Sequence, residues 1–218
     1  MPHQIVTFIG WHNSGKTTLA TQVVKHLKAD GYRVAVIKSS KETGIVFDAP
    51  GTDTDKYRQA GADGILFVAP DQMALMTQND HLPLATLARR YFPDVDIVIG
   101  EGFKTASHVA KIEVVRDSGQ FLLGKVEGII AVATDQDIAC DRIFALDESR
   151  EIASFIKERF LLNTGKNTDK TVLLVNGHMI PLEEFAQEAL AGTVAGFVKT
   201  LSLTEDARDI ELRIKLNG

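Results

Sequence analysis

Cysteine is nearly missing from this chain: of 218 residues, only Cys140 carries a thiol. A single thiol excludes an internal disulfide framework and any metal site built on several cysteines, and it points to a reducing compartment. Positive charge is not in surplus either. Lys and Arg number 24 against 29 Asp and Glu, a net charge of −5. That balance excludes a protein whose main task is coating nucleic acid or an anionic membrane, while leaving room for a local basic pocket. No apolar run approaches the roughly 18 to 20 residues that cross a bilayer. The start, MPHQIVTFIG, has no basic flank ahead of its apolar segment, unlike a secretory signal. The expectation is a cytoplasmic protein with neither nucleic acid nor membrane as partner. Aromatics are scarce at 7%, yet hydrophobic residues reach 44%, enough for a packed core and too many for a disordered chain. The six histidines, His3, His12, His26, His81, His108 and His178, are scattered without metal-ligand spacing.

What is present has a clear order. Residues 4–9 are a short apolar run ending at Gly10, the pattern of a buried strand. Over 17–30, Leu19, Ala20, Val23, Val24 and Leu27 recur at helical spacing, and Gly31 supplies the stop. A second strand covers 34–37 and ends at Lys38. Strand, helix and strand in close succession make a βαβ unit, hence a parallel sheet with a right-handed crossover. The polar segment KSSKETGIVFDAPGTDTDKYRQAGA follows, with turn chemistry at Ala49-Pro50-Gly51 and a capping box between Thr52 and Asp55 that predicts helix in its second half. A segment this long is usually functional. Runs at 64–69 and 73–78 flank Pro70-Asp71-Gln72 and predict a hairpin. An amphipathic helix at 83–91, strands at 96–100, 111–115 and 128–132, and a helix at 149–161 complete this part.

Residues 163–170 read as a linker between a unit 1–162 and an extension 171–218. In the extension, strands at 171–175 and 178–180 flank Asn176-Gly177, which suits a type I′ turn. A helix at 182–201 follows, and Ile210, Leu212, Ile214 and Leu216 alternate as in a final strand.

One motif carries the chemistry. Gly10-Trp11-His12-Asn13-Ser14-Gly15-Lys16-Thr17 fits the phosphate-loop pattern GxxxxGK[ST], between a predicted strand and a predicted helix. Gly10 and Gly15 let the backbone fold around phosphate, with the N–H groups through Asn13, Ser14 and Thr18 turned inward. The helix start adds its dipole. Lys16 neutralises the β- and γ-phosphates and Thr17 ligates Mg²⁺. Such a site needs a strand-end carboxylate, and DIVIGE delivers Glu101 to the carboxyl edge of the sheet. Asp96 starts that strand and lies at the opposite edge. The fold class is therefore α/β: a P-loop NTPase-type, mostly parallel sheet flanked by helices, with a small C-terminal α+β appendage.

Other candidates have a bland alternative beside the functional one. In the polar segment, Asp48, Asp53 and Arg58 are the groups best placed to face nucleotide, as in loops that order around γ-phosphate. An N-cap for Asp53 and a helix surface charge for Arg58 serve equally well. Asp135, after the strand at 128–132, can read a guanine edge by accepting from its ring N–H and amino group, or can simply cap a turn. Lys104 adds positive charge near Glu101. Trp11 reads as packing or a lid, and Cys140 as a small buried residue.

In combination, GWHNSGKTTL, VAVIK, DAPGTDTDKYRQAGA, DIVIGEGFK and KIEVVR resemble the molybdopterin-guanine dinucleotide biosynthesis protein B (MobB) family over roughly residues 4 to 160. The resemblance implies a homodimeric GTP-binding protein with weak Mg²⁺-dependent GTPase activity. It further implies an adaptor for a partner nucleotidyltransferase (MobA) that attaches GMP to molybdopterin, with molybdopterin as a further ligand. Lys16 and Glu101 would then act on the phosphates. Thr17, Glu101 and Asp48 would hold Mg²⁺, and Asp48 and Asp53 would belong to a switch-like region. Many relatives carry histidines after the equivalent of Lys38, where this chain has Ser39 and Ser40, and it has no NKxD guanine signature. A metallochaperone-type GTPase and a P-loop small-molecule kinase are the competing readings. Few Cys and no clustered His oppose the first. The lack of an arginine-rich lid opposes the second.

Overall fold

A computed structural model describes residues 4–116, 121–162, 171–176, 178–201, 210–212 and 214. The chain runs β1 (Ile5–Ile9), α1 (Lys16–Ala29), β2 (Val34–Lys38), α2 (Asp53–Gln59), β3 (Gly64–Val68), β4 (Met73–Thr77), α3 (Leu84–Tyr91) and β5 (Ile97–Glu101). It continues with β6 (Ala110–Val115), β7 (Ile129–Thr134), β8 (Ile143–Phe144) and α4 (Ser149–Ile156), which passes into π-helical turns over Lys157–Leu162. The described tail holds β9 (Leu173–Val175), β10 (His178–Ile180) and α5 (Glu184–Val198).

Six strands form one parallel sheet in the order β2-β5-β1-β6-β7-β8. Its central strands are apolar on both faces, as a sheet covered by helices on both sides requires. Val6 and Phe8 of β1, with Ile97 and Ile99 of β5, face Leu19, Val23 and Leu27 of α1 and Ile152 and Ile156 of α4. The alternate residues Ile5 and Val98 face Leu84 and Ala88 of α3. Each fully buried aliphatic side chain of this kind contributes about 1.5 to 3 kcal/mol. Gly100 has a packing role here: a Cβ would lie 2.7 Å from Thr7 Oγ1 and 3.4 Å from Leu84 Cδ2.

The predicted βαβ unit is present, but β1 and β2 are not neighbours, because β5 lies between them. This insertion matters for the site. It sets the end of β5 between the loop after β1 and the last residue of β2, with Glu101 in register with both Phe8 and Lys38.

The predicted hairpin forms as β3 and β4, paired from Gly64 with Thr77 to Val68 with Met73, outside the main sheet. Leu66, Phe67, Val68, Met73 and Leu75 are exposed in this chain. The capping box of α2 forms by half. Thr52 Oγ1 accepts from Asp55 N–H at 3.2 Å, but the Asp55 carboxylate turns to Gly51 N–H at 2.8 Å rather than back to Thr52. The helix predicted over 149–161 starts as expected and then widens into π-helical turns. The two-residue strand β8 is too short to leave a period in the sequence.

In the tail, β9 and β10 pair antiparallel, and Asn176 has φ 51°, as the first position of a type I′ turn requires. Gly177 and the linker 163–170 lie outside the described residues. So does most of the predicted final strand, and its described residues 210–212 and 214 have no regular secondary structure.

Candidate nucleotide site

The loop after β1 turns sharply, with positive φ at three of its residues. Gly10 has φ 153°, Asn13 φ 59° and Gly15 φ 91°. Positive φ recurring along a loop is the backbone pattern that anion nests use, and here Ser14 N–H bonds back to Trp11 C=O at 3.3 Å. Gly10 is required for space as well. A Cβ there would lie 2.3 Å from the Val114 carbonyl oxygen and 2.7 Å from Ser14 Oγ. Ser14 is buried. α1 starts at once, its first turn closed by Leu19 N–H to Gly15 C=O at 3.0 Å. Thr18 is exposed in that first turn. Lys16 folds back over the loop, donating to the Trp11 carbonyl and reaching Ser14 Oγ at 3.4 Å.

Glu101 arrives from the other side and is the carboxylate that the parallel sheet brings to the loop. It is buried at the last position of β5. Its Oε1 accepts the Thr17 hydroxyl at 2.8 Å and pairs with Lys38 Nζ at 3.0 Å. Gly102, at φ 94°, lets the chain turn directly after it, where a Cβ would lie 3.2 Å from Ser39 Cβ. The turn is pinned by Ser39 N–H to Glu101 C=O and Gly102 N–H to Phe8 C=O, both 2.9 Å, and by Thr7 Oγ1 donating to Gly102 C=O at 2.9 Å.

Charge gathers here against the acidic average of the chain. Lys104 stands 4.2 Å over the exposed Trp11 ring. The Arg116 guanidinium lies against the loop, with Nη2 3.2 Å from where a Gly15 Cβ would be. Burial, first of all, lowers the Lys16 ammonium below its usual range, and the nearby Lys104 and Lys38 add to this while Glu101 opposes it. Lys104 is lowered by burial and by Lys41. A polyphosphate relieves such crowding of cations.

The remaining candidates are held by other partners. Asp48 accepts from the Thr52 hydroxyl at 2.8 Å and from the Thr54 hydroxyl. These bonds, Thr54 first, hold its carboxyl below the usual carboxylate range. Asp53 begins α2 and pairs with Lys56 at 2.9 Å. Arg58 pairs with the buried Asp55, so it serves its own helix. The side-chain bonds of Asp48, Asp53 and Arg58 stay within residues 48–58, away from the phosphate loop. Asp135 follows β7 at the same sheet edge as the loop, and its Oδ1 accepts Leu146 N–H at 3.1 Å. Asp96 lies at the opposite edge, bound to Arg33 N–H at 2.7 Å and to its guanidinium at 3.0 Å. Cys140 is only half-buried, in a loop, with Sγ 3.5 Å from the Arg142 carbonyl oxygen, rather than packed in the core.

Lys38 and Arg116 also lie at this edge, outside the sequence motifs that mark the site. The signal that finds them is the rule that gave Glu101: each is the polar residue at or just past the end of a parallel strand, so each lies on the ligand-binding edge. The rest of the KIEVVR segment is structural. Lys111 is buried and donates to the carbonyls of Ala106, Val109 and Glu127, and Glu113 accepts Leu122 N–H at 2.6 Å and Leu123 N–H at 2.9 Å.

The donors present fit magnesium with a nucleotide. Thr17 and Glu101 offer two converging hard oxygens, while the described residues hold no group of three or more His, Cys, Asp or Glu able to cage an ion. Mg²⁺ is bound in this way, by one or two protein oxygens with phosphate and water supplying the rest.

This geometry agrees with the comparisons to known proteins. The family model described as molybdopterin guanine dinucleotide synthesis protein B, MobB, matches residues 5–135. The chain belongs to the MobB family. It is 31% identical over 162 residues to the molybdopterin-guanine dinucleotide biosynthesis adapter protein of Escherichia coli (strain K12), covering 71% of this chain and 91% of that protein. A putative adapter protein of the same description from Methanocaldococcus jannaschii is 24% identical over 98% of both chains, so that relative also spans the tail. A crystal structure of a molybdopterin-guanine biosynthesis protein B superposes with a TM-score of 0.60 at 30% identity, over 71% of this chain and 99% of that one. The MobB-like fold, a six-stranded parallel sheet flanked by helices with a phosphate loop, is common to both. Among the described residues no helix is long and apolar enough to cross a membrane.

Proposed function

We propose that this MobB-family chain is a GTP-binding adapter in the conversion of molybdopterin to its guanine dinucleotide form, with slow Mg²⁺-dependent hydrolysis of the nucleotide. The observation that carries the reading is the Thr17–Glu101 pair, 2.8 Å apart at the mouth of the phosphate loop. Loop amides and the start of α1 cradle the phosphates, and Lys16 swings from the Trp11 carbonyl to their oxygens. Thr17 and Glu101 would hold the ion, which would supply neutralisation of the phosphate charge. Asp48 and Asp53 close on the nucleotide from their own segment, and Asp135 faces the guanine from the end of β7. Partner contact with a nucleotidyltransferase (MobA) is then the output of the bound state. The exposed apolar side chains of β3 and β4 support a homodimer, since a patch of this kind is normally covered.

The test is competition between GTP and ATP in the presence of Mg²⁺, with Lys16→Ala as control. GTP preference, lost together with tight binding in a folded Lys16→Ala protein, is the expected result. Unchanged affinity in that variant would sink the phosphate-site assignment, and preference for ATP would move the reading toward a kinase.

A further inference from the structure

β2 continues one residue past its apolar run, to Lys38, and the parallel register sets that residue beside Glu101. The Lys38 ammonium lies 3.0 Å from Glu101 Oε1 and 3.5 Å from Thr17 Oγ1. Those are the two oxygens that the proposed function gives to magnesium. A divalent ion held by the same carboxylate oxygen would leave no place for an ammonium there, on grounds of both volume and like-charge repulsion. Only one cation can hold the pair at a time.

The surroundings of Lys38 differ from those of a structural lysine. Lys111 shows what a structural lysine looks like in this fold: fully buried, with its ammonium on three backbone carbonyls. The Lys38 side chain is 56% exposed, and it bonds to two site groups, Glu101 and Thr17. Its backbone is fixed by the neighbouring Ser39 N–H bond to Glu101 C=O, so the long side chain can move without disturbing β2.

We infer that Lys38 is an internal counter-cation: it occupies the magnesium seat of the nucleotide-free protein, keeps Thr17 and Glu101 converged, and leaves when the metal–nucleotide complex enters. Loading of the site is then an exchange of one cation for another rather than filling of an open seat. The displaced ammonium stays at the sheet edge, within the field of the triphosphate. This inference rests on the metal–nucleotide reading of the same site.

The experiment titrates Mg²⁺, and Mn²⁺ as a paramagnetic probe, into wild-type protein and Lys38→Met with a non-hydrolysable GTP analogue at constant ionic strength. Nucleotide affinity is also measured in chelator. Removing the competitor should lower the Mg²⁺ half-saturation concentration about threefold or more. It should weaken metal-free nucleotide binding, because the substitute cation is gone. The two changes have opposite signs, whereas a merely structural or phosphate-binding lysine would weaken both. Half-saturation that stays constant or rises overturns the exchange, and Lys38→Gln carries the same expectations should Lys38→Met fail to fold. Wild-type binding with no Mg²⁺ dependence would sink the site reading itself. A Mg²⁺-dependent wild type with an indifferent Lys38→Met would sink only the exchange.

Discussion

Glu101 and Asp48 are two acidic groups with similar promise in the sequence and very different supports in the fold. Glu101 ends a strand with every residue buried, and both neighbouring strands and three backbone-directed bonds fix the turn behind it. Asp48 sits in a segment whose bonds close on themselves, through the hydroxyls of Thr52 and Thr54. The first carboxylate is placed by the core before any ligand arrives. The second can join the site only by movement of its segment. Preorganised groups contribute to binding without an ordering cost, and groups that must move contribute less.

The sharpest way to break this comparison is a pair of conservative variants. Glu101→Gln keeps the size and one acceptor but removes the charge, and should raise the Mg²⁺ concentration needed for nucleotide binding about tenfold or more. Asp48→Asn should change it by about threefold or less, given the cost of reorganising its loop. Calorimetric titration of both variants with Mg²⁺ and a GTP analogue measures the ratio. Equal losses would mean that the segment around Asp48 closes on the metal as firmly as the sheet presents Glu101.

The same contrast explains what the sequence made legible. The strands β1 and β5 were readable because burial on both faces leaves an unbroken apolar run, and the phosphate loop because its glycines are needed for backbone reasons that no other residue meets. Glu101 followed from strand direction alone. Strand order was not readable: the insertion of β5 between β1 and β2 is a tertiary fact, and with it came the meeting of Lys38 and Glu101. The exposed β3–β4 hairpin shows the converse limit. Its apolar runs predicted strands correctly, but a run of Leu66, Phe67 and Val68 does not say whether its cover comes from the same chain. Arg58 is a related case: the sequence leaves it open between nucleotide and its own helix, and its partner Asp55, three residues away, is also the aspartate of the capping box.

A smaller effect separates the two regions by pH. Asp55 is held below the usual carboxylate range, first by Gly51 N–H and then by Arg58, and Asp48 by its two threonines. A folded-state value below the unfolded one, about 3.9 for aspartate, means stabilisation that is fully present above that value and lost as pH falls through the folded one. Acidification below about pH 4 should therefore loosen α2 and the turn ahead of it. Amide NMR of Gly51 and Asp55 against pH checks this, with Asp55→Asn expected to remove the dependence at Gly51. An unchanged profile in that variant would show that the segment is held by something other than this carboxylate.

Asp135 lies between the two cases and gives the finest test. It follows a buried strand, as Glu101 does, yet its Oδ1 is engaged by the Leu146 amide of its own connection, as Asp48 is engaged by its segment. Asparagine at this position can keep the acceptor for Leu146 N–H, so Asp135→Asn should leave the melting temperature nearly unchanged. What it removes is the anionic oxygen left for a guanine ring N–H or amino group, a charge-assisted bond of the kind worth about 1.5 to 3 kcal/mol when desolvated. At an edge open to solvent the expected effect falls below that range, a fall in GTP affinity of about three- to tenfold with ATP affinity unchanged. Parallel displacement titrations with the two nucleotides read that difference directly. A constant GTP-to-ATP ratio would confine Asp135 to its turn and place guanine recognition on other groups of the sheet edge.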